Sequence, residues 1–122
     1  MSQDLAHQNY SNAHTRSVKD AEIDAILETT RRLRRANQMR AENFPDFASA
    51  LRDNCKLWIV LAADVASTGN ALPESLRARI FYLGEFTQEQ TRKILSNKLS
   101  ADPLIDINLS VLRGLTNKKD SQ

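Results

Sequence analysis

The sequence contains few of the residues that interrupt helices. Only three glycines and three prolines occur among its 122 residues, and runs of β-branched residues are short. Because glycine and proline mark most turns, their scarcity leaves long stretches able to form continuous helices. Apolar residues recur in those stretches at intervals of three and four, which is the period of an amphipathic helix. These patterns predict an all-α fold.

Cysteine and long apolar runs are also scarce. Cys55 is the only cysteine, which excludes an intrachain disulfide and is typical of a reducing compartment. We interpret it as a small buried apolar residue rather than a reactive thiol. The longest apolar run, residues 57–63, has seven residues, whereas a membrane span needs roughly 20. The N-terminus lacks the basic and apolar regions of a signal peptide. We therefore expect a soluble cytoplasmic protein with no membrane association.

No charge of one sign dominates the chain. Seventeen basic residues against fifteen acidic residues give a formal net charge of +2. A field this small does not require nucleic acid or an anionic membrane as a partner, so any basic binding site must be local. The length suits one domain that is large enough to bury a core.

The sequence also lacks the residue patterns of enzymes and metal sites. Its glycines stand singly, so there is no glycine-rich loop for a nucleotide phosphate. His7 and His14 are in no spacing with Cys55 that is typical of metal ligands. Carboxylates are spread over charge-balanced helices. We therefore expect a protein that is not an enzyme and that holds no metal and no cofactor.

Proline, glycine and capping residues divide the chain into four main helices. The predicted helices begin at Ser17, Pro45, Pro73 and Pro103. They end near residues 41, 69, 97 and 116. Because the connections are short, the pattern predicts a compact up-and-down bundle. Residues 1–16 are predicted to form a short N-terminal helix or an arm, residues 17–116 a single domain, and residues 117–122 a polar tail.

The fourth helix combines a clear start with an unusual polar residue. The side chain of Asp102 is predicted to cap the helix, and Pro103 has the backbone angle of a first helical residue. Asn108 falls inside the apolar stripe of Leu104, Ile107, Val111 and Leu115. Further apolar residues, Ile105, Leu109 and Leu112, widen the arc to more than half the circumference. The helix is therefore either clasped on two sides or shows an apolar face to a partner.

The second helix repeats this combination. Asn54 lies on an apolar face, and the segment Leu57–Ala63 is apolar all round, which predicts a central helix surrounded by others. Because buried amides need hydrogen-bond partners, we expect Asn54 and Asn108 to bond to backbone at helix ends or turns and to fix the helix register. This structural role is favoured over direct contact with a ligand. Trp58 is expected to anchor the core.

Two further features lie outside these apolar stripes. Phe81 and Tyr82 lie off the apolar stripe of the third helix, on opposite flanks, so one is expected to meet another helix and the other a partner. The basic run Arg31, Arg32, Arg34 and Arg35 could contact RNA phosphates. A ladder of ion pairs with Glu28 is favoured over RNA, because no aromatic residues alternate with the arginines.

Three groups of residues stand in a distinctive order and spacing. They are Ala50-Leu51, Asn54 and Leu57-Trp58; then Asn70, Leu72-Pro73, Leu76-Arg77-Ala78, Ile80, Leu83 and Phe86; then Pro103-Leu104-Ile105-Asp106-Ile107-Asn108 and Gly114-Leu115. Through these groups the chain resembles the flagellar biosynthesis regulator FlaF family of bacteria over about residues 45–116.

The resemblance implies a non-enzymatic cytoplasmic protein that is needed for flagellin production and secretion. It also implies a chaperone that binds flagellin, and a working relationship with the flagellin translation repressor FlbT. A groove bordered by the last two helices is expected to hold a helical terminal segment of flagellin. Its predicted lining is Phe81, Tyr82, Leu104, Ile105 and Leu109.

Two other functions stay open at this point. The first is post-transcriptional regulation of flagellin synthesis, either through RNA held by Arg31, Arg32, Arg34 and Arg35 or through FlbT. The second is an interaction scaffold for another assembly or regulatory protein. Both need no more than an exposed helical face, so the sequence does not separate them from the chaperone.

Overall fold

Four helices make up nearly all of the described chain in the computed structural model. It describes the backbone of residues 2–67 and 69–120, and the side chains of residues 20–67 and 69–116. The helices are α1 (Ser2–Gln38), α2 (Phe44–Ala66), α3 (Glu74–Asn97) and α4 (Asp102–Asp120). No strand occurs in these ranges. The predicted all-α fold with four main helices is confirmed.

The first and last helices are longer than the sequence pattern predicted. Helix α1 begins at Ser2 rather than Ser17, because no glycine or proline interrupts the chain before Gln38. Helix α4 continues to Asp120, into the predicted polar tail. The side chains of His7, Tyr10 and His14 lie outside the described residues.

The inner helix ends follow from local chemistry. Helix α2 begins where the side chain of Asn43 accepts a hydrogen bond of 3.2 Å from the backbone N–H of Asp46, with Pro45 in the first turn. It ends at Ala66, shortly before Gly69 adopts a φ of 88° in the loop. Helix α3 ends as Lys98 enters the left-handed region with a φ of 52°.

The four helices are arranged as a ring. Each helix packs against the next along the chain, and α4 packs back against α1, so that α1 lies diagonally opposite α3 and α2 opposite α4. The α2–α3 interface is the most extensive. Within the described residues, α3 and α4 contact each other less than any other pair of neighbouring helices. Short connections between consecutive helices make them antiparallel neighbours.

The core consists of two apolar clusters, one toward each end of the bundle. The first contains Leu33, Ala36, Phe47, Ala50, Leu51, Ile94, Ala101, Leu104 and Ile105. The second contains Ile26, Trp58, Leu61, Val65, Ile80, Val111, Leu112 and Leu115. On every helix the two sets of residues are separated by a buried polar residue. These four residues, Thr30, Asn54, Thr87 and Asn108, form what we call the polar layer.

Helix α2 is less enclosed than the sequence pattern predicted. The prediction of a fully surrounded segment at residues 57–63 is wrong, because Ile59 and Val60 are 47% and 64% exposed. Only α1 and α3 are direct neighbours of α2 in the ring, and α4 lies beyond the core. The outward face of α2 therefore remains open although its residues are apolar.

Candidate functional site

Buried hydrogen bonds join three of the four helices at the polar layer. The indole N–H of Trp58 donates to Oδ1 of Asn108 at 2.8 Å. Nδ2 of Asn108 donates to Oδ1 of Asn54 at 2.8 Å and to Oγ1 of Thr30 at 3.0 Å. The hydroxyl of Thr30 donates in turn to the backbone carbonyl of Ile26 at 2.6 Å. Side chains of α1, α2 and α4 are thus tied together inside the core.

The partners of the two asparagines differ from the prediction. We expected hydrogen bonds to backbone at helix ends or turns, and this prediction is wrong for the bonds that Asn54 and Asn108 make. Both residues lie in the middle of their helices, where backbone groups are already bonded within the helix. The nearest free polar groups are side chains at the same level on neighbouring helices. The amides therefore fix the helix register through one another.

Helix α3 does not take part in this network. The hydroxyl of Thr87 and Nδ2 of Asn54 are buried and have no hydrogen-bond partner among the described residues. The neighbouring Thr91 donates its hydroxyl proton to the carbonyl of Thr87, within α3 itself. Burying a polar atom without a hydrogen-bond partner costs free energy. The polar layer is therefore less stabilising on the side of α3 than on the side of α4.

A glycine brings α3 close to α2. A Cβ atom added to Gly84 would lie 3.0 Å from Cβ of Ala62 and 3.4 Å from the backbone oxygen of Trp58. Any larger residue would push the two helices apart, since the atoms it meets belong to backbone or to a methyl group without rotamers. Gly84 therefore sets the spacing of the α2–α3 pair beside Trp58.

A second polar clamp joins α1 to the start of α4. Oδ1 of Asn37 accepts from the backbone N–H of Ala101 at 2.9 Å, and Nδ2 of Asn37 donates to Oδ1 of Asp102 at 3.0 Å. The prediction that the side chain of Asp102 caps its own helix is wrong. The first helical N–H groups, those of Leu104 and Ile105, donate to the carbonyl of Ala101 instead. The carboxylate of Asp102 is thereby free to receive Asn37.

The loop between α2 and α3 is held by residues of the resemblance. Nδ2 of Asn70 donates to the backbone carbonyl and to the carboxylate of Asp64, and its Oδ1 accepts from the N–H of Leu72 at 3.0 Å. Nε of Arg77 donates to the carbonyl of Leu72 at 3.1 Å. Pro73 then forms the N-cap of α3. These motif residues shape the connection between α2 and α3. Arg77 also lines a shallow depression with Val65 and Phe81.

Two residues of the predicted flagellin groove are buried. Leu104 and Ile105 belong to the first apolar cluster, so they cannot act as exposed anchors for a partner, and their placement in the groove is wrong. They are covered because the face of α4 that carries them packs against α1 and the core. Leu109 is half-buried and packs against both clusters. With Arg34 and Asp106 it also lines a shallow depression between α1 and α4.

The two aromatic residues of α3 are both exposed, on different sides. Phe81 is 45% exposed and lies beside Val65 and Ala66 at the end of α2. Tyr82 is 66% exposed and stacks on Phe86, with ring centroids 6.5 Å apart and planes inclined by 16°. Phe81 thus lies beside another helix, whereas the ring contact of Tyr82 is with Phe86 of its own helix.

Phe86 was missing from the predicted site. It follows Tyr82 by four residues, and side chains at this spacing share a helix face, so the sequence did contain the signal. One hydrogen bond shows which neighbour this face approaches: the guanidinium of Arg79 donates to Oγ of Ser110 on α4. Tyr82, Leu83 and Phe86 follow Arg79 by three, four and seven residues, and therefore lie on the α4 side of α3.

This side of the bundle forms a seam. We define the α3–α4 seam by Leu83 and Phe86 of α3 and Ile107 of α4, which are half-buried, with the exposed Tyr82 at its rim. Ile107 precedes Ser110 by three residues and so lies on the face of α4 that meets Arg79. The seam combines apolar side chains with the sparsest interface of the described bundle.

The four arginines of α1 do not form one surface. Arg31 pairs with Glu28 at 2.9 Å, as the predicted ladder requires. Arg32 turns to α2, where it bonds to the carboxylates of Asp53 and Asp46. The other two open onto different depressions: Arg34 faces α4, and Arg35 lies near Met39 and Asn43. Two of the four guanidinium groups are therefore engaged within the protein.

Cys55 is half-buried on α2 rather than fully buried as predicted. Burial raises the pKa of its thiol, while the nearby hydroxyl of Thr91 and the charge of Arg92 act in the opposite direction. The net rise reduces the thiolate fraction at neutral pH and with it the reactivity of the sulfur. Among the described residues, no three His, Cys, Asp or Glu side chains are placed to hold a metal ion.

Within the part of the chain that the structure describes, no helix has an apolar stretch long enough to cross a bilayer.

Comparison with known proteins gives one match. A family model described as flagellar protein FlaF matches residues 5–115, which includes the polar layer, the α2–α3 loop and the seam. No curated protein and no solved structure matches the chain significantly.

Proposed function

Because the chain belongs to the FlaF family of flagellar proteins, we propose that it binds flagellin in the cytoplasm as a secretion chaperone and so promotes flagellin production and export. The role needs no catalysis, metal or cofactor. In this proposal the ligand is a helical terminal segment of flagellin, held until export.

The observation that carries the proposal is the α3–α4 seam. It offers half-buried apolar side chains on two antiparallel helices that contact each other little. An amphipathic helix laid along such a seam would bury its apolar face against both walls. The exposed ring of Tyr82 beside Phe86 supplies the kind of aromatic anchor that dominates many protein interfaces.

The proposed groove keeps its position between the last two helices but changes its lining. Tyr82 is retained, and Phe86 and Ile107 replace the buried Leu104 and Ile105. Phe81 is set apart, because it faces the end of α2 on the other flank of α3.

The test is co-purification of the tagged chain with full-length flagellin, with flagellin lacking its N-terminal helix, and with flagellin lacking its C-terminal helix. Retention of the full-length protein and of only one of the two truncated forms supports the proposal and identifies the segment. Failure to retain full-length flagellin at micromolar concentration would overturn it.

Regulation through RNA has weaker support in the geometry. Of the four arginines, only Arg34 and Arg35 lack an ion pair among the described residues, and they open onto separate depressions. Binding of the flagellin messenger leader that falls steeply with salt would favour this alternative. Retention of FlbT, with no retention of flagellin, would instead favour regulation through that protein.

A further inference from the structure

The α3–α4 seam also has the features of an interface that can open. We propose that α3 moves away from α4 to admit the partner helix, while α1, α2 and α4 stay together. The identity of the ligand rests on the proposed function, whereas the opening itself is a property of the free bundle.

The first support is the unequal distribution of buried hydrogen bonds. Asn108 of α4 is bonded to Thr30 of α1 and to Asn54 and Trp58 of α2. The clamp between Asn37 and the start of α4 adds a second connection to α1. Separating α4 from α1 or α2 would leave these groups without partners in the core, which is costly.

The second support is the weak attachment of α3 to α4. Among the described side chains, one hydrogen bond crosses this interface, from Arg79 to Ser110, and Arg79 is exposed to solvent. Water can replace such a bond at little cost when the helices separate. The buried hydroxyl of Thr87 gains hydrogen-bond partners if water enters, because none of the described residues bonds to it in the closed bundle.

The third support is the close contact that α3 retains with α2. The approach at Gly84 places the two helices in direct contact beside Ala62 and Trp58, and this interface is the most extensive of the fold. Helix α3 can therefore pivot on α2 without leaving the bundle. A pivot at Gly84 moves the flank that carries Leu83 and Phe86 away from Ile107 of α4.

The opening explains how half-buried residues can serve as a binding surface. In the closed bundle Leu83, Phe86 and Ile107 are half-buried. An incoming helix that replaces these contacts binds the open state preferentially and shifts the population toward it. Because the partner helix binds the open state, a protein locked in the closed state should bind that helix more weakly.

The experiment uses a bridge across the seam that can be removed. In a Cys55→Ser background, Arg79→Cys and Ser110→Cys are joined by a short reducible bis-methanethiosulfonate. We expect the bridged protein to bind flagellin at least about tenfold more weakly than the unbridged double variant, and a reductant to restore binding. Unchanged affinity after complete bridging would overturn the inference.

Two matched controls separate locking from other effects. In the first control, the same reagent joins Arg34→Cys and Asp106→Cys, at two positions that line the depression between α1 and α4. Because α1 and α4 stay together in the proposed opening, this bridge should leave flagellin binding unchanged. A monofunctional methanethiosulfonate on the Arg79→Cys and Ser110→Cys variant tests for obstruction by the reagent. Loss of binding with either control would contradict the proposed opening of this seam.

A measurement on the free protein distinguishes failure of the opening from failure of the proposed function. Spin labels at Ala78 of α3 and Arg113 of α4 report on the seam, and labels at Asp24 of α1 and Arg113 report on the fixed side. We expect a broader distance distribution across the seam in the absence of any partner. Equal widths would overturn the opening whatever flagellin does, and a broad seam without flagellin binding would overturn the proposed function alone.

Discussion

The indole of Trp58 on α2 donates a hydrogen bond of 2.8 Å to the amide oxygen of Asn108 on α4, across the diagonal of the bundle. Helices α2 and α4 are not direct neighbours in the described ring, so this bond and the adjacent one from Asn108 to Asn54 join them through the core. Each of the three side chains is fully buried. The polar layer therefore specifies which helices face each other, a task that apolar contacts alone perform loosely.

Removing the amide of Asn108 should destabilise the protein strongly. The substitution Asn108→Ala leaves the indole N–H of Trp58 and Oδ1 of Asn54 unpaired in the core and creates a small cavity. We expect a loss of about 3 kcal/mol in the free energy of unfolding, measured by urea denaturation followed by circular dichroism. Asp106→Ala, at an exposed position on the same helix, should change stability by less than about 0.5 kcal/mol. If Asn108→Ala were as stable as Asp106→Ala, the hydrogen bonds of Asn108 would not be a determinant of the fold.

Alanine at two glycines should act in opposite directions. Gly84→Ala gains helix propensity but places a methyl group 3.0 Å from Cβ of Ala62, and we expect a net loss of about 1 kcal/mol. Gly114→Ala meets only the flexible end of Leu76 at 3.6 Å, so the gain in propensity of up to about 1 kcal/mol should remain. Thermal unfolding of the two variants checks the signs. A stabilised Gly84→Ala variant would mean that α2 and α3 are not in tight contact there.

The aromatic pair of the seam, the half-buried Phe86 and the exposed Tyr82 at its rim, should contribute to binding. We expect Tyr82→Ala and Phe86→Ala each to weaken flagellin binding by about tenfold, the effect of losing an interface anchor. Val60→Ala removes a side chain of similar exposure from α2 and should leave affinity unchanged. Titration calorimetry with flagellin gives the affinities. If Phe81→Ala alone weakens binding, the partner lies at the α2 side of α3 and not at the seam.

The thiol of Cys55 should make stability depend on pH in the alkaline range. Its pKa is raised in the folded protein, chiefly by burial, so the folded state holds the proton more tightly than the unfolded state. The resulting stabilisation is complete below the pKa of the unfolded thiol and is lost as the pH rises through the pKa of the folded one. Urea midpoints of the wild type should therefore fall more steeply than those of Cys55→Ser above the usual cysteine pKa. Parallel curves would argue against a raised thiol pKa in the folded state.

Much of the secondary structure followed from local signals. Pro45 and Pro73 lie at the starts of α2 and α3, and these two starts are right to within a residue, because proline restricts the backbone through its own ring. The start of α1 was misplaced for the complementary reason. A capping pattern at Ser17 permits a helix to begin but does not break one that is already formed, and no breaker precedes it.

The candidate site was harder to read from the sequence. The helical period placed Asn54 and Asn108 on buried faces, where both lie. It did not show that they bond to each other, since 54 positions separate them in the chain. The groove hypothesis named Leu104 and Ile105 as anchors for a partner, because an arc of apolar residues looks the same whether a second helix or a partner covers it.

The sequence by itself determined that the chain is helical, where α2 and α3 begin, and which polar residues fall within apolar stripes. These properties depend on backbone preferences and periodicity within a few residues. Only the tertiary structure decided that Asn108 joins three helices, that Leu104 and Ile105 are covered while Ile59 and Val60 are not, and that the α3–α4 interface is the sparsest. Those properties depend on which helices become neighbours, and that is settled by the packing of residues far apart in the chain.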